Sequence, residues 1–223
     1  MKLVLASAGI ETKGVTEKII ELARKPASEI SVAFIVEAGN MKDRDKRWQI
    51  NELYKTSNIF GGIVRIVNLL ALDIDEIEAR LTKSDVVFCL GGNTCYLKTV
   101  FDKSGLSGLL PQILKKVIWL GNSAGSMILG KRCPYRESLK TSNEATYGVE
   151  KFLKLIDCHI IPHINADKKP EHLLETCIEE SKQHSSPIYA LSDDSALVIN
   201  GNNSYMIGTN CWKIENGKIT EQK

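Results

Sequence analysis

The sequence predicts an α/β fold: a mainly parallel sheet flanked by helices, with antiparallel strands towards the C-terminus. Three observations lead there. Short Val/Ile/Leu-rich runs alternate with longer amphipathic stretches over most of the chain, the pattern of strand–helix–strand units around a parallel sheet. Beyond Pro187 the apolar runs crowd together as ALVIN, SYMIG and CWKI, separated by the turn signals Asn200-Gly201-Asn202-Asn203 and Glu215-Asn216-Gly217-Lys218, which is antiparallel spacing. With 223 residues, 43% of them hydrophobic and 25% charged, the chain can bury a substantial core. No Pro/Ser/Gly-rich linker or internal repeat divides it, so one domain over residues 1–223 is expected.

Taken in order, the strand candidates are residues 2–7, 30–36, 63–69, 85–90 and 117–121, then 158–161 and 188–191. Between the first two, residues 12–25 set Val15, Ile19, Leu22 and Ala23 at helical spacing and so define one buried face. Residues 74–81 repeat that pattern. A third helix candidate, 42–57, opens on the charged run KDRDKRW, read as a solvated face. Later, AGSMILGK is compatible with a helix, and Pro170 opens an amphipathic stretch whose buried positions are Leu173, Leu174, Cys177 and Ile178.

Charge and cysteine usage narrow the function classes. Lys+Arg 29 against Asp+Glu 27 leaves a formal net charge of +2, too mild for nucleic acid or an anionic membrane to be the main partner. A small substrate is expected instead. The six cysteines, Cys89, Cys95, Cys133, Cys158, Cys177 and Cys211, show no CxxC and no metal-ligand spacing beside histidines, so no metal is expected. Three of them stand inside apolar runs (VVFCL, DCHII and LLETCIEE), where a thiol behaves as a small reduced hydrophobe. The apolar run in MKLVLASAG is too short for a signal-peptide core, and no stretch approaches the length needed to span a bilayer. A cytoplasmic protein is the expectation.

The most informative stretch is GNSAGSM, residues 121–127, directly after the apolar run VIWL. It satisfies G-x-S-x-G in the context that motif requires, a strand before and a helix-compatible segment after. Ser123 would sit on a strained strand-to-helix turn, which glycines allow to close, and would present its hydroxyl above the carboxyl end of the sheet. The Ala124 amide and the following helix N-terminus would face any negative charge formed there. Leu90-Gly91-Gly92-Asn93-Thr94 also follows an apolar strand and can bring backbone amides to a bound carbonyl or phosphate. It is neither G-x-G-x-x-G nor a phosphate loop, so a nucleotide cofactor is not implied.

A serine hydroxyl needs a base, and the chain offers His159, His163, His172 and His184. His172 and His184 read as solvated residues around the amphipathic stretch, and His159 as a residue packed or edge-exposed within its strand. His163 follows Ile160-Ile161-Pro162, where a strand ends, so its ring is carried towards the sheet edge that holds Ser123. A third, acidic group must orient the imidazole, and Asp193-Asp194 lie between two apolar runs at another strand end.

LGGNT, GNSAGS, IPHIN and ALSDDSALVI, in that order and spacing, resemble the peptidase E family of serine peptidases, which includes α-aspartyl dipeptidase and, more distantly, cyanophycinase. The resemblance runs from the first strand to about Ile199 and implies a fold like that of class I glutamine amidotransferase domains. It implies Ser123 as nucleophile, His163 as general base and then acid, and the amides of Gly92 and Ala124 as oxyanion-hole donors. For the third member Asp193 matches best, with Asp194 as the alternative. Family members commonly carry glutamate there; aspartate is one methylene shorter, so the backbone must come closer or a water must intervene. The substrate implied is a small peptide, a dipeptide with N-terminal aspartate, cleaved without a cofactor. Asn93, Lys168 and Lys169 are the candidate substrate contacts, although lysine lacks the bidentate fork of arginine.

Two other readings stay open. One keeps the fold but binds a small molecule or partner without turnover, as the Asp193-Asp194 pair and the charged 42–47 segment would suit. The other hydrolyses a different small amide or ester with the same nucleophile. Neither monomer nor homodimer is favoured by the sequence.

Overall fold

The computed structural model describes residues 1–41, 43, 45–131, 151–166 and 172–223. Its centre is a seven-stranded sheet in the order β3-β2-β4-β5-β1-β8-β9. Five strands run parallel: β1 (Lys2–Ala6), β2 (Val32–Ile35), β3 (Val64–Ile66), β4 (Val86–Cys89) and β5 (Ile118–Asn122). β8 (Ser195–Asn200) and β9 (Asn203–Gly208) close the β1 side antiparallel.

Around this sheet pack α1 (Val15–Ala23), α2 (Arg47–Ile59), α3 (Ile74–Thr82), α4 (Thr94–Lys103), α5 (Leu106–Ile113) and the single-turn α6 (Ala124–Met127). The central strands are buried on both faces. Leu3 and Leu5 of β1 enter one apolar cluster with Trp119 and Phe101, while Val4 and Ala6 enter another with Ile19, Phe34 and Phe88. That two-sided burial is why these strands read as continuous apolar runs and not as alternating ones. α3 starts on Asp73, whose carboxylate accepts the Glu76 amide at 2.8 Å, and α4 starts on Asn93, whose side chain accepts from Tyr96 N at 2.8 Å.

The C-terminal strands depart from expectation. They do not all extend one sheet: β10 (Cys211–Glu215) and β11 (Lys218–Gln222) join β6 (His159–Ile161) and β7 (Ile188–Leu191) in a second sheet, ordered β11-β10-β7-β6. Left-handed Gly208 (φ 86°) and Asn210 (φ 55°) turn the chain from one sheet to the other, a change that the even spacing of apolar runs does not announce. β11, with the sequence KITEQ, is exposed along its length and carries no apolar run to mark it. The helix after the serine is shorter than AGSMILGK suggests, and α4 and α5 complete a part of the chain for which no helix is read from the sequence. α7 (Leu174–Ser181) lies in the amphipathic stretch after residue 170. His184 is buried, 9% exposed, with its ring 4.7 Å from that of His159, so it is not a solvated helix residue.

Candidate active site

Strand register determines which residues meet. Ala6 of β1 stands beside Asn122 of β5 on one side and Ala196 of β8 on the other. One step further along, Ser7, Ser123 and Ser195 therefore share one edge: Ser123 N donates to Ala6 O at 3.1 Å and Ser7 N to Ser195 O at 3.2 Å. On the far side of β5, Cys89 of β4 pairs with Gly121, which brings the Gly91-Gly92 turn alongside Asn122 and Ser123. Parallel β6 and β7 pair up to Ile161 and Ala190, and Ile164 N donates to Leu191 O at 3.0 Å. The segments that follow them, carrying His163 and Asp193, consequently leave the second sheet side by side.

Ser123 occupies φ 50°, ψ −106°, a backbone region that side-chain-bearing residues rarely adopt. The strain is held by what surrounds it. Ser126 N and Met127 N both donate to Ser123 O at 2.9 Å, and Ser126 Oγ donates to Ala6 O at 2.8 Å, which ties the start of α6 to the sheet. Trp119 Nε1 reaches forward to Gly125 O at 3.0 Å. A Cβ on Gly125 would stand 2.0 Å from Cys89 O, and one on Gly121 would stand 2.6 Å from Gly125 O. The two outer glycines of G-N-S-A-G thus permit the close packing of α6 against β4 and β5.

The strained turn aims Ser123 Oγ at His163 Nε2, 3.0 Å away, while His163 Nδ1 lies 2.7 Å from Asp193 Oδ1. Hydrogen bonding to His163, helped by Ser7, holds the Asp193 carboxyl below the usual carboxylate range against the opposing effect of its partial burial. An ionised carboxylate accepts only, so Nδ1 donates to Asp193, and it is the neutral ring with its proton there that can accept from Ser123 at Nε2. The short aspartate reaches the ring directly. Its backbone is drawn in, with Thr12 Oγ1 donating to Asp193 O at 3.1 Å. Asp194 uses its carbonyl to accept from Thr209 N at 3.3 Å, behind Asp193.

Gly92 and Ala124 flank the serine. Gly92 has φ 144°, and a Cβ there would stand 2.1 Å from Ala38 O, so only glycine fits this close approach. Leu90 N donating to Ile35 O at 2.9 Å and Asn93 N donating to Ala38 O at 2.8 Å pin the turn on both sides. Ala124 opens α6, where a backbone amide has no intrahelical acceptor. Asn93 is fully buried, its side chain capping α4 and directing Nδ2 to Met41 Sδ at 3.4 Å. Lys168 and Lys169 lie outside the described residues. Among the described residues no group of three His, Cys, Asp or Glu side chains is placed to hold a metal ion. No described helix is long and apolar enough to cross a membrane.

A mixed α/β sheet with a strained serine at a strand-to-helix turn, facing a histidine and an aspartate, defines a serine hydrolase. Comparison narrows the class: the chain belongs to peptidase family S51, whose family model matches residues 3–207. It is 26% identical over 172 residues to an uncharacterized peptidase of Listeria monocytogenes, covering 76% of each chain. In three dimensions it resembles a Listeria monocytogenes protein assigned as a peptidase E, with a TM-score of 0.74, 22% identity and coverage of 94% of this chain and 98% of the other. A peptidase from an acI-B1 actinobacterium gives a TM-score of 0.70 at 15% identity, covering 96% and 91%. The chain is thus a peptidase with the peptidase E fold.

Sequence reasoning missed Ser7 and Thr12, which contact Asp193 although they lie at the opposite end of the chain. A serine directly after the first strand, in LASAG, was the available signal. Only the β1–β8 register gives it meaning.

Proposed function

We propose that this peptidase cleaves dipeptides, those with N-terminal aspartate foremost, by a Ser-His-Asp acyl-enzyme mechanism in the cytoplasm. One observation carries the mechanism: His163 bridges Ser123 Oγ at 3.0 Å and Asp193 Oδ1 at 2.7 Å. As Ser123 Oγ attacks the peptide carbonyl, its proton passes to His163 Nε2, and Asp193 stabilises the imidazolium so formed. The amides of Gly92 and Ala124 receive the negative charge on the carbonyl oxygen. The tetrahedral intermediate collapses as Nε2–H protonates the leaving amine. Water, deprotonated by His163, then hydrolyses the ester on Ser123 and the serine regains its proton. Every step uses groups of this chain. The substrate preference rests on the resemblance to aspartyl dipeptidases, with Lys168 or Lys169 assigned to the aspartate carboxylate. The cytoplasmic setting rests on Cys89, Cys158 and Cys211, which are buried thiols outside any disulfide.

The test is turnover of Asp-Xaa, Glu-Xaa, Ala-Xaa and Asn-Xaa dipeptides by the wild-type protein beside Ser123→Ala. Cleavage restricted to Asp-Xaa and lost in the variant is expected. Cleavage of Ala-Xaa at an equal rate would overturn the aspartyl preference, and turnover by the variant would overturn the mechanism.

A further inference from the structure

Ser7 is fully buried and follows β1 at the sheet edge shared with Ser123. Its hydroxyl makes two contacts: Oγ donates to Asp193 Oδ1 at 2.9 Å and accepts from the backbone N–H of His163 at 2.8 Å. The polarity of both bonds is forced. A backbone N–H can only donate, so the Ser7 oxygen must accept there, and its own hydrogen is left for the carboxylate, which can only accept. With the bond from His163 Nδ1 to the same Oδ1 at 2.7 Å, the contacts close a ring: His163 backbone to Ser7, Ser7 to Asp193, and Asp193 back to the His163 side chain.

His163 sits at φ 62°, in the left-handed region, two residues past the end of β6, where Ala166 N donates to its carbonyl at 3.1 Å. Ser7 supplies a partner from another sheet. The aspartate side chain is short, and without the hydroxyl its Oδ1 would have one donor fewer to keep it under the ring.

We propose that Ser7 is a positioning residue for the reaction: by fastening the His163 backbone to the Asp193 carboxylate, it sets the ring so that Nε2 meets Ser123. The proposal rests on the Ser-His-Asp reading above. Its test is a double-mutant cycle of Ser7→Ala and Asp193→Ala, read as kcat and KM on a cleaved dipeptide. Loss of one charge-assisted hydrogen bond predicts that Ser7→Ala lowers kcat by roughly 10- to 100-fold with KM within about two-fold. In the Asp193→Ala background the same change should cost less than about three-fold, because the ring is already open. A structural defect would instead add to the loss in both backgrounds.

Ser7→Cys, of similar size but a weak donor, provides a second route should Ser7→Ala fold poorly, and it too should lose kcat while the melting temperature stays near wild type. The downfield Nδ1 proton of His163 in the 1H NMR spectrum should broaden in either Ser7 variant. Wild-type kcat in both, or losses that add fully to that of Asp193→Ala, would overturn the role of Ser7. An Asp193→Ala variant with wild-type activity would overturn the triad reading itself, which separates the two failures.

Discussion

At the N-terminal ends of the parallel strands lies a cavity of about 300 Å³ lined by Lys2, Leu22, Asp85, Lys115, Lys116 and Asn200 among others. Its polar groups are largely satisfied from within the protein. Lys2 Nζ donates to Leu22 O at 2.8 Å, and Asp85 pairs with Lys25 at 2.6 Å while accepting from Ser31 N at 2.9 Å. At the C-terminal ends of the same strands stand Gly92 and Ser123, at φ 144° and 50°; His163, at φ 62°, and Asp193 reach Ser123 from the second sheet. The first end holds polar groups that answer one another, and the second holds groups that converge on one serine. Strained backbone with converging titratable groups locates the reaction.

Five substitutions bear on this contrast. His163→Ala removes the ring that meets Ser123 Oγ and should lower kcat by about 10⁴-fold or more, measured on the best dipeptide. Lys2→Ala, at the opposite end, should leave kcat unchanged. Asp193→Ala should cost about 10³- to 10⁴-fold, because the imidazole loses its orienting carboxylate. Asp194→Ala should stay within about three-fold by the same reasoning, since Asp194 contributes a backbone carbonyl that alanine retains. Gly92→Ala must push its Cβ away from Ala38 O and displace the turn, for an expected loss of about 10²-fold in kcat.

The smallest effect concerns stability. Glu52 is buried on α2 against the Gly9–Ile10 turn; its pKa is pushed up to about 7 by burial, with Glu11 adding to the rise and Ile10 N and Lys55 opposing it. The native state therefore holds a proton that the unfolded chain releases near pH 4.5. Stability should fall as pH rises from about 5 to 8, by at most about 3 kcal/mol from this group. Glu52→Gln should flatten that slope in thermal melts at pH 5 and 8 and leave kcat nearly intact. An unchanged slope would show that Glu52 is already ionised at pH 5.

The parallel core and the serine turn were legible because two-sided burial writes continuous apolar runs and because G-N-S-A-G needs both glycines for close packing. His163 was legible from its place just past a strand. The sheet switch after Gly208 was not, since apolar spacing does not say which sheet a strand joins. The cap that Asn93 makes on α4 was not read either, because an asparagine after a glycine pair suits a helix cap as well as a ligand contact. Ser7 was hidden because its partners lie 156 and 186 residues away, and only strand register brings them together.

The most direct test of the central claim, that Ser123 is the nucleophile, is to trap the acyl-enzyme. The protein is mixed with an aspartyl ester or dipeptide, quenched in acid within one turnover, and digested for mass spectrometry. An aspartyl mass on the peptide carrying Ser123, absent from an inactive Ser123→Ala, is the predicted result. Turnover that persists in Ser123→Ala, with no acyl group on that peptide in the wild type, would contradict it.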